Sequence, residues 1–219
     1  MRAVPAAVLI LTALALAATA AATHDPKDPQ QRHTAADTKL AKSLALKRTD
    51  LVAGWKAAKP TPNPPACTTE PDESKLIQTA RIDPTYVWTD GVTTLGTQVD
   101  IFKTASMAKT DWNLTTLKLF RSCLLQSARH QLPHYTVRVV SAKELAPPKV
   151  SVERLLHFQL VFAITRSGRT IPIVSDVIAL GRGRETVVMH SFSVQSPLPS
   201  SSVSQVVQLL ANRLGTGGI

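Results

Sequence analysis

The apolar and polar positions change period several times along the chain. Ala6 to Ala18 is an apolar run. Ala35 to Leu46 has helix-favouring composition, with Leu40 and Leu44 four apart on one face. Thr49-Asp50 then offers a cap or turn before Leu51, Val52 and Trp55. The stretch Lys59-Pro60-Thr61-Pro62-Asn63-Pro64-Pro65 predicts an extended connector, because its prolines remove donors and disfavour helix. Ser74 to Ala80 fits a short strand or a turn equally. Val92 to Phe102 reads as a strand interrupted at Gly96. Thr104 is the expected cap of one long helix over Ala105–Arg129, whose stripe runs through Ala105, Ala108, Trp112, Thr115, Leu119 and Cys123.

Beyond Pro133 the period shortens to two. Tyr135 to Val140 predicts a strand, and Leu155 to Thr165 alternates clearly. Ser167-Gly168 is a turn, and Thr170 to Leu180 a second strand. Gly181-Arg182-Gly183-Arg184 is another turn, and Thr186 to Val194 a third strand. Turns this short force antiparallel neighbours, so the three strands form a meander. Ser202-x-x-Gln205 reads as a capping box for a last helix with Val203, Val206, Val207, Leu210 and Leu214 on its core side and Gly215 as its stop. The pattern implies an α+β fold: one antiparallel sheet, including the C-terminal meander, packed on one face against two or three helices.

The N-terminal run changes how the rest is read. Arg2 precedes it, and Ala18-Thr19-Ala20 and Ala20-Ala21-Ala22 both fit a signal peptidase site. Residues 1–22 are therefore expected to be a signal peptide cleaved near Ala20 or Ala22. Residues 23–34 (THDPKDPQQRHT) contain no large apolar residue and predict a disordered leader. Residues 35–219 are long enough for one buried core. The apolar N-terminal run is shorter than the roughly 20 residues that span a bilayer, and no transmembrane segment is expected in the mature chain. The protein is placed outside the cytoplasm, secreted or associated with the cell envelope.

Export gives the two cysteines, Cys67 and Cys123, an expected partnership: a disulfide closing a loop of about 57 residues. The formal net charge of +10 is spread along the chain without a block of like charges. Such a surface suits an anionic envelope component as well as plain solvent. Nucleic acid is not an expected partner, given export and few aromatic residues to stack on bases.

Candidate chemistry is thin. His130 and His134 have zinc-like spacing, but Pro133 breaks the helix that would align them, so no metal site and no cofactor is expected. There is no GxSxG and no recognisable triad order, and no catalytic residue is assigned. Asp176 sits inside a strand and needs a partner if it faces the core. His157 and His190 fall on strands of the meander and are placed to face each other across it. Arg182 and Arg184 lie on a turn where an anionic ligand is conceivable; Arg166 and Arg169 belong to the turn at the other end of the middle strand. The surface or ligand contacts expected are thus Arg182, Arg184, His157 and His190.

Two segments carry a resemblance. Thr49-Asp50-Leu51-Val52-Ala53-Gly54-Trp55, followed by the Pro-rich stretch, Cys67 and Pro71-Asp72-x-Ser74, looks like exported actinobacterial proteins of unassigned role. So does Val99-x-Ile101-Phe102-x-Thr104-Ala105-x-x-Ala108-x-x-Asp111-Trp112, ending in Cys123-Leu124. These are similar to extracellular sensor-like domains of the receptor serine/threonine kinase PknH type, and more loosely to the PsbP-like fold. The resemblance implies an antiparallel sheet with flanking helices, a disulfide and a ligand cleft. It supplies no site residue. The expected role is a secreted or envelope binding module, sensor-like and without catalysis, for a small apolar or anionic ligand or a partner protein. A secreted hydrolase with an unrecognised active site and a structural envelope protein are the alternatives.

Overall fold

The computed structural model describes residues 26–58 and 67–216. The signal peptide and the Pro-rich connector read from the sequence lie outside the described residues. In chain order the elements are β1 (Gln30–Gln31), α1 (Ala35–Leu44), a 3-10 turn (Arg48–Asp50), β2 (Lys56–Ala57), β3 (Ile77–Ile82), β4 (Thr85–Val87) and β5 (Thr94–Phe102). They continue with α2 (Ala105–Leu114), α3 (Leu117–Gln131), β6 (Thr136–Glu144), β7 (Arg154–Arg166), β8 (Arg169–Arg182), β9 (Glu185–Val194) and α4 (Ser200–Thr216).

The class is α+β, with the expected C-terminal meander at its centre. The main path of the sheet is β1-β3-β5-β9-β8-β7-β6, and β4 pairs with β5 and β2. Only β1 against β3 is parallel among the pairings. Ser74–Ala80, undecided from sequence, contributes to β3. Residues 30–34 of the expected disordered leader are held: Gln30 and Gln31 pair with Ile77 and Gln78, and Thr34 N–H donates to the Thr79 carbonyl. Backbone pairing needs no large apolar side chain, which is why composition misses it.

Helices cover both faces, not one. On β8, Ile178 and Leu180 pack with α1 and α4, while the intervening Val177 and Ala179 pack with α3. Successive strand side chains point to opposite faces, so these are two separate layers. Ala41, Leu44, Val207 and Leu210 fill the α1/α4 face, and Leu124, Ala128 and Leu132 fill part of the α2/α3 face.

The expected long helix over Ala105–Arg129 is two. α2 ends at Leu114 with Thr115 as its C-cap, and Thr116 takes extended backbone and caps α3, its hydroxyl accepting from Leu119 N–H at 3.2 Å. The break rotates the stripe, so Leu124 and Ala128 are buried whereas Leu119 and Cys123 are only partly so. Helix α4 begins at Ser200, two residues before the expected cap Ser202. The Pro199 carbonyl accepts from Val203 N–H, and the helix runs through Gly215 to Thr216. Gly96 lies within continuous strand. Cys67 and Cys123 form the expected disulfide, with Cα atoms 5.1 Å apart. No helix among the described residues is long and apolar enough to cross a membrane.

Candidate functional site

The apolar cover on the α2/α3 face comes in two pieces. One packs α3 over β7 and β8; the other is the small group Leu76, Phe102 and Ala108. Between them the strands present polar side chains in register. Arg81 lies opposite Asp100, Asp100 opposite Thr186, Thr186 opposite Gly181, and Gly181 opposite Arg154. Four residues along β5 and β9, Thr85, Gly96 and His190 form a parallel row. Each of these positions has the same parity as a residue of the α3-side core, so all share that face.

Asp100 is 5% exposed and accepts from the side-chain amides of Gln78 and Gln98, each at 2.6 Å. Arg81 Nε donates to Asp83 Oδ2 at 3.1 Å and stands 4.0 Å from Asp100 Oδ1, while Nη2 donates to Gln98 Oε1. Arg154 lies across Gly181, where a Cβ would stand 2.6 Å from its Nε. Its Nη2 donates to the Gly183 carbonyl, and its guanidinium carbon sits 5.6 Å from the centre of the Trp112 ring on α2. His190 lies against Gly96 in the same way, where a Cβ would meet Nε2 at 2.5 Å and Thr85 Oγ1 at 2.8 Å. Burial pulls the His190 pKa down to about 4, so the ring is neutral at physiological pH.

Among the described residues, nine buried side-chain polar atoms have no hydrogen-bond partner in the protein. Seven are on this face: Asp83 Oδ1, Thr85 Oγ1, Thr94 Oγ1, Arg154 Nε, Ser175 Oγ, Thr186 Oγ1 and His190 Nε2. A buried polar group left unpaired costs about 1–3 kcal/mol, so each of these atoms calls for a partner, ordered water or a ligand.

Two more acids border the region, Glu73 ahead of β3 and Asp111 on α2. Burial, reinforced by repulsion from Glu70, Asp100 and Asp28, pushes Glu73 up to about 7. Burial pushes Asp83 up to about 6 against the attraction of Arg81. Asp111 is held well above the usual carboxylate range by burial and then by Asp100 and Glu73; burial also raises Asp100. Glu73, Asp83 and Asp111 keep part of their surface in contact with solvent. The strip of polar positions between the two apolar pieces, bordered by these acids, is the candidate recess. No three His, Cys, Asp or Glu side chains among the described residues converge as metal ligands would.

The residues singled out from sequence do not assemble. His190 belongs to the recess, but His157 projects from the α1/α4 face, so the two histidines do not face each other. Only one register separates same-face from opposite-face placement across a strand, and the turn at Gly183-Arg184 sets it. His157 Nε2 contacts Asp176 Oδ1 at 3.2 Å, and Gln159 Nε2 donates to the same oxygen at 3.0 Å. Ser191 lies opposite Asp176 on the other side. The order His157, Asp176, Ser191 on β7, β8 and β9 puts the carboxylate between imidazole and hydroxyl. A relay in which imidazole takes the serine proton needs the imidazole in the middle. Arg184 binds Asp37 of α1 through both terminal nitrogens and donates to the Phe102 carbonyl. It ties the turn to α1, and its guanidinium holds Asp37 below its ordinary pKa. Arg182 is exposed and sits opposite Glu185. His130 and His134 are exposed and separated by the end of α3.

Glu73, Arg81, Asp83, Asp100 and Asp111 were not reached from sequence. A signal existed: Asp100 interrupts Val99-Asp100-Ile101-Phe102, and Asp111 immediately precedes Trp112. No protein-family model matches the chain, and no curated protein matches it.

Proposed function

We propose that this protein is an exported binding module, acting in the cell envelope or outside the cell, that holds a small polar ligand in the recess on the α2/α3 face and performs no catalysis. The observation that carries this reading is the gathering of seven unpartnered buried polar atoms on that one face. A purely structural envelope protein has no use for such a set, since apolar replacements would be more stable. A hydrolase needs a nucleophile beside its base, and Ser191 stands beside Asp176 instead. The ligand is polar rather than apolar because the apolar stretches of both faces are packed beneath helices. An anionic ligand at the turn arginines is disfavoured by the commitment of Arg184 to Asp37. The Ala-rich start, the disulfide and the resemblance to extracellular sensor-like domains all support a location outside the cytoplasm.

Native mass spectrometry of protein purified from its own host tests the reading. A bound small molecule, lost from the Thr186→Val variant while the fold persists, is the expected result. A bare mass from that material, with no thermal shift across a panel of polar small molecules, overturns it.

A further inference from the structure

We propose that the loop over residues 47–56 docks on an anionic phospholipid surface. Val52 and Ala53 enter the headgroup layer, and Lys47, Arg48 and Lys56 meet the phosphates. The proposal goes beyond the binding role above and does not use the recess, which lies on the other face of the sheet.

The loop leaves the fold and returns to it at one residue, Tyr86 of β4. The Tyr86 hydroxyl donates to the Leu46 carbonyl at 3.0 Å, and Ala57 is the residue paired with Tyr86 between β2 and β4. Leu46 and Tyr86 belong to the core on the α1/α4 side. Residues 47–56 therefore form a closed surface loop whose two ends are held together.

The loop is also held along its length. Asp50 accepts from Lys47 N–H at 2.6 Å, and Arg213 of α4 donates to its two oxygens at 2.7 and 2.9 Å. Arg48 Nη1 donates to the Leu51 carbonyl at 2.9 Å. Gly54 has a φ of +104° and lies against the half-buried Trp88, where a Cβ would stand 2.6 Å from Cη2. The Trp88 ring packs edge-on against the buried Trp55, with centroids 5.3 Å apart. These anchors keep the tip from folding back onto the core. Val52 is 71% exposed, more than any other large apolar side chain among the described residues. An aliphatic group fixed in water by its own scaffold gains by entering an apolar medium.

The charge around this tip is one-sided. Between Asp37 and Glu70 the basic residues are Lys39, Lys42, Lys47, Arg48, Lys56 and Lys59, and the one acid is Asp50. Asp50 is spent on Arg213. Lys47, Arg48 and Lys56 are exposed and enter no salt bridge among the described residues. Asp90, on the hairpin that follows Trp88, has its oxygens turned to Val92 and Thr93 of its own turn. Cations flanking an exposed aliphatic tip, with an indole at its base, suit the boundary of an anionic bilayer. A soluble polyanion would engage the cations and leave Val52 in water. A bilayer uses both.

Vesicle flotation tests this on the purified protein, with phosphatidylcholine alone and with phosphatidylcholine mixed equally with phosphatidylglycerol. Binding is expected to the anionic vesicles only, and it should weaken as salt rises. Lys47→Gln/Lys56→Gln should bind at least about tenfold more weakly, since one charge near such a surface is worth about fivefold. Val52→Ser should lose about threefold or more while keeping its salt dependence. Brominated lipid should quench the tryptophan emission of the wild type, and Trp88→Phe should abolish that quenching, because Trp112 lies on the opposite face. Circular dichroism confirms that the variants fold. Should Trp88→Phe not fold, Trp112→Phe takes its place, and the quenching must then persist.

Binding to neither vesicle, or equally to both, overturns the proposal. So does binding that both loop variants leave unchanged, since the contact then lies elsewhere. Retention on heparin without any binding to vesicles also overturns it, and assigns the basic loop to a soluble polyanion.

Discussion

At the scale of the residue, His190 and Gly96 are a matched pair. The imidazole occupies space that any side chain at position 96 would claim, and it is buried without a charge partner. Its folded pKa of about 4 lies below the model-peptide value of 6.5. As pH falls from 6.5 toward 4, the unfolded chain takes up a proton that the folded chain refuses. Stability from this residue is therefore fully present above 6.5 and is lost as pH falls. The loss amounts to about 3 kcal/mol over that range. Urea denaturation of the wild type and His190→Gln at several pH values checks this. The difference between the two proteins should shift in favour of the variant on acidification. Glu73 and Asp83 contribute the opposite slope, since their raised values favour the folded state at low pH, but they do so in both proteins and cancel in the difference. A difference that stays flat from pH 7 to 4 would refute the buried neutral ring.

At the scale of the element, the break between α2 and α3 decides which residues reach the sheet. A continuous helix would carry Leu119 and Cys123 inward. Capping by Thr116 restarts the helix and brings Leu124 and Ala128 into the core instead. It leaves Asp111 and Trp112 at the end of α2, beside the recess. Thr116→Ala removes the cap and is expected to lower stability by about 1 kcal/mol, measured by denaturant midpoint. Thr116→Ser should retain most of it. The strand β8 is the other deciding element. Its run from Ile173 to Leu180 is buried at every position, since it lies between helices on both sides. A near-continuous apolar run of this kind is the sequence mark of a strand covered twice.

At the scale of the whole molecule, the disulfide links the segment ahead of β3 to α3. Cys67 begins the stretch that leads to Glu70 and Glu73, and Cys123 lies on α3. Thr68 and Thr69 add hydrogen bonds to Gln126 and Ser122 of the same helix. The bridge separates cysteines 56 residues apart, and the chain-entropy relation assigns it about 4 kcal/mol. The Cys67→Ser/Cys123→Ser double variant should lose about that much in chemical denaturation, with a smaller loss meaning that residual structure in the unfolded chain already closes the loop.

Sequence alone determined what depends on local order. The meander was legible because alternation and two-residue turns are properties of neighbouring residues, and the same holds for the short period of β7. The pairing of Cys67 with Cys123 followed from there being no other cysteine. The α+β class followed from the succession of elements. What depends on placement in space waited for the tertiary structure. Covering of both sheet faces, the register that parts His157 from His190, and the anchoring of Arg184 on Asp37 across 147 residues all join distant segments. The acidic recess is the clearest case. Glu73, Asp83, Asp100 and Asp111 come from a loop, a strand end, a strand and a helix, and each looks like an ordinary charge in its own segment. Only the fold buries them, and that desolvation raises the pKa of each.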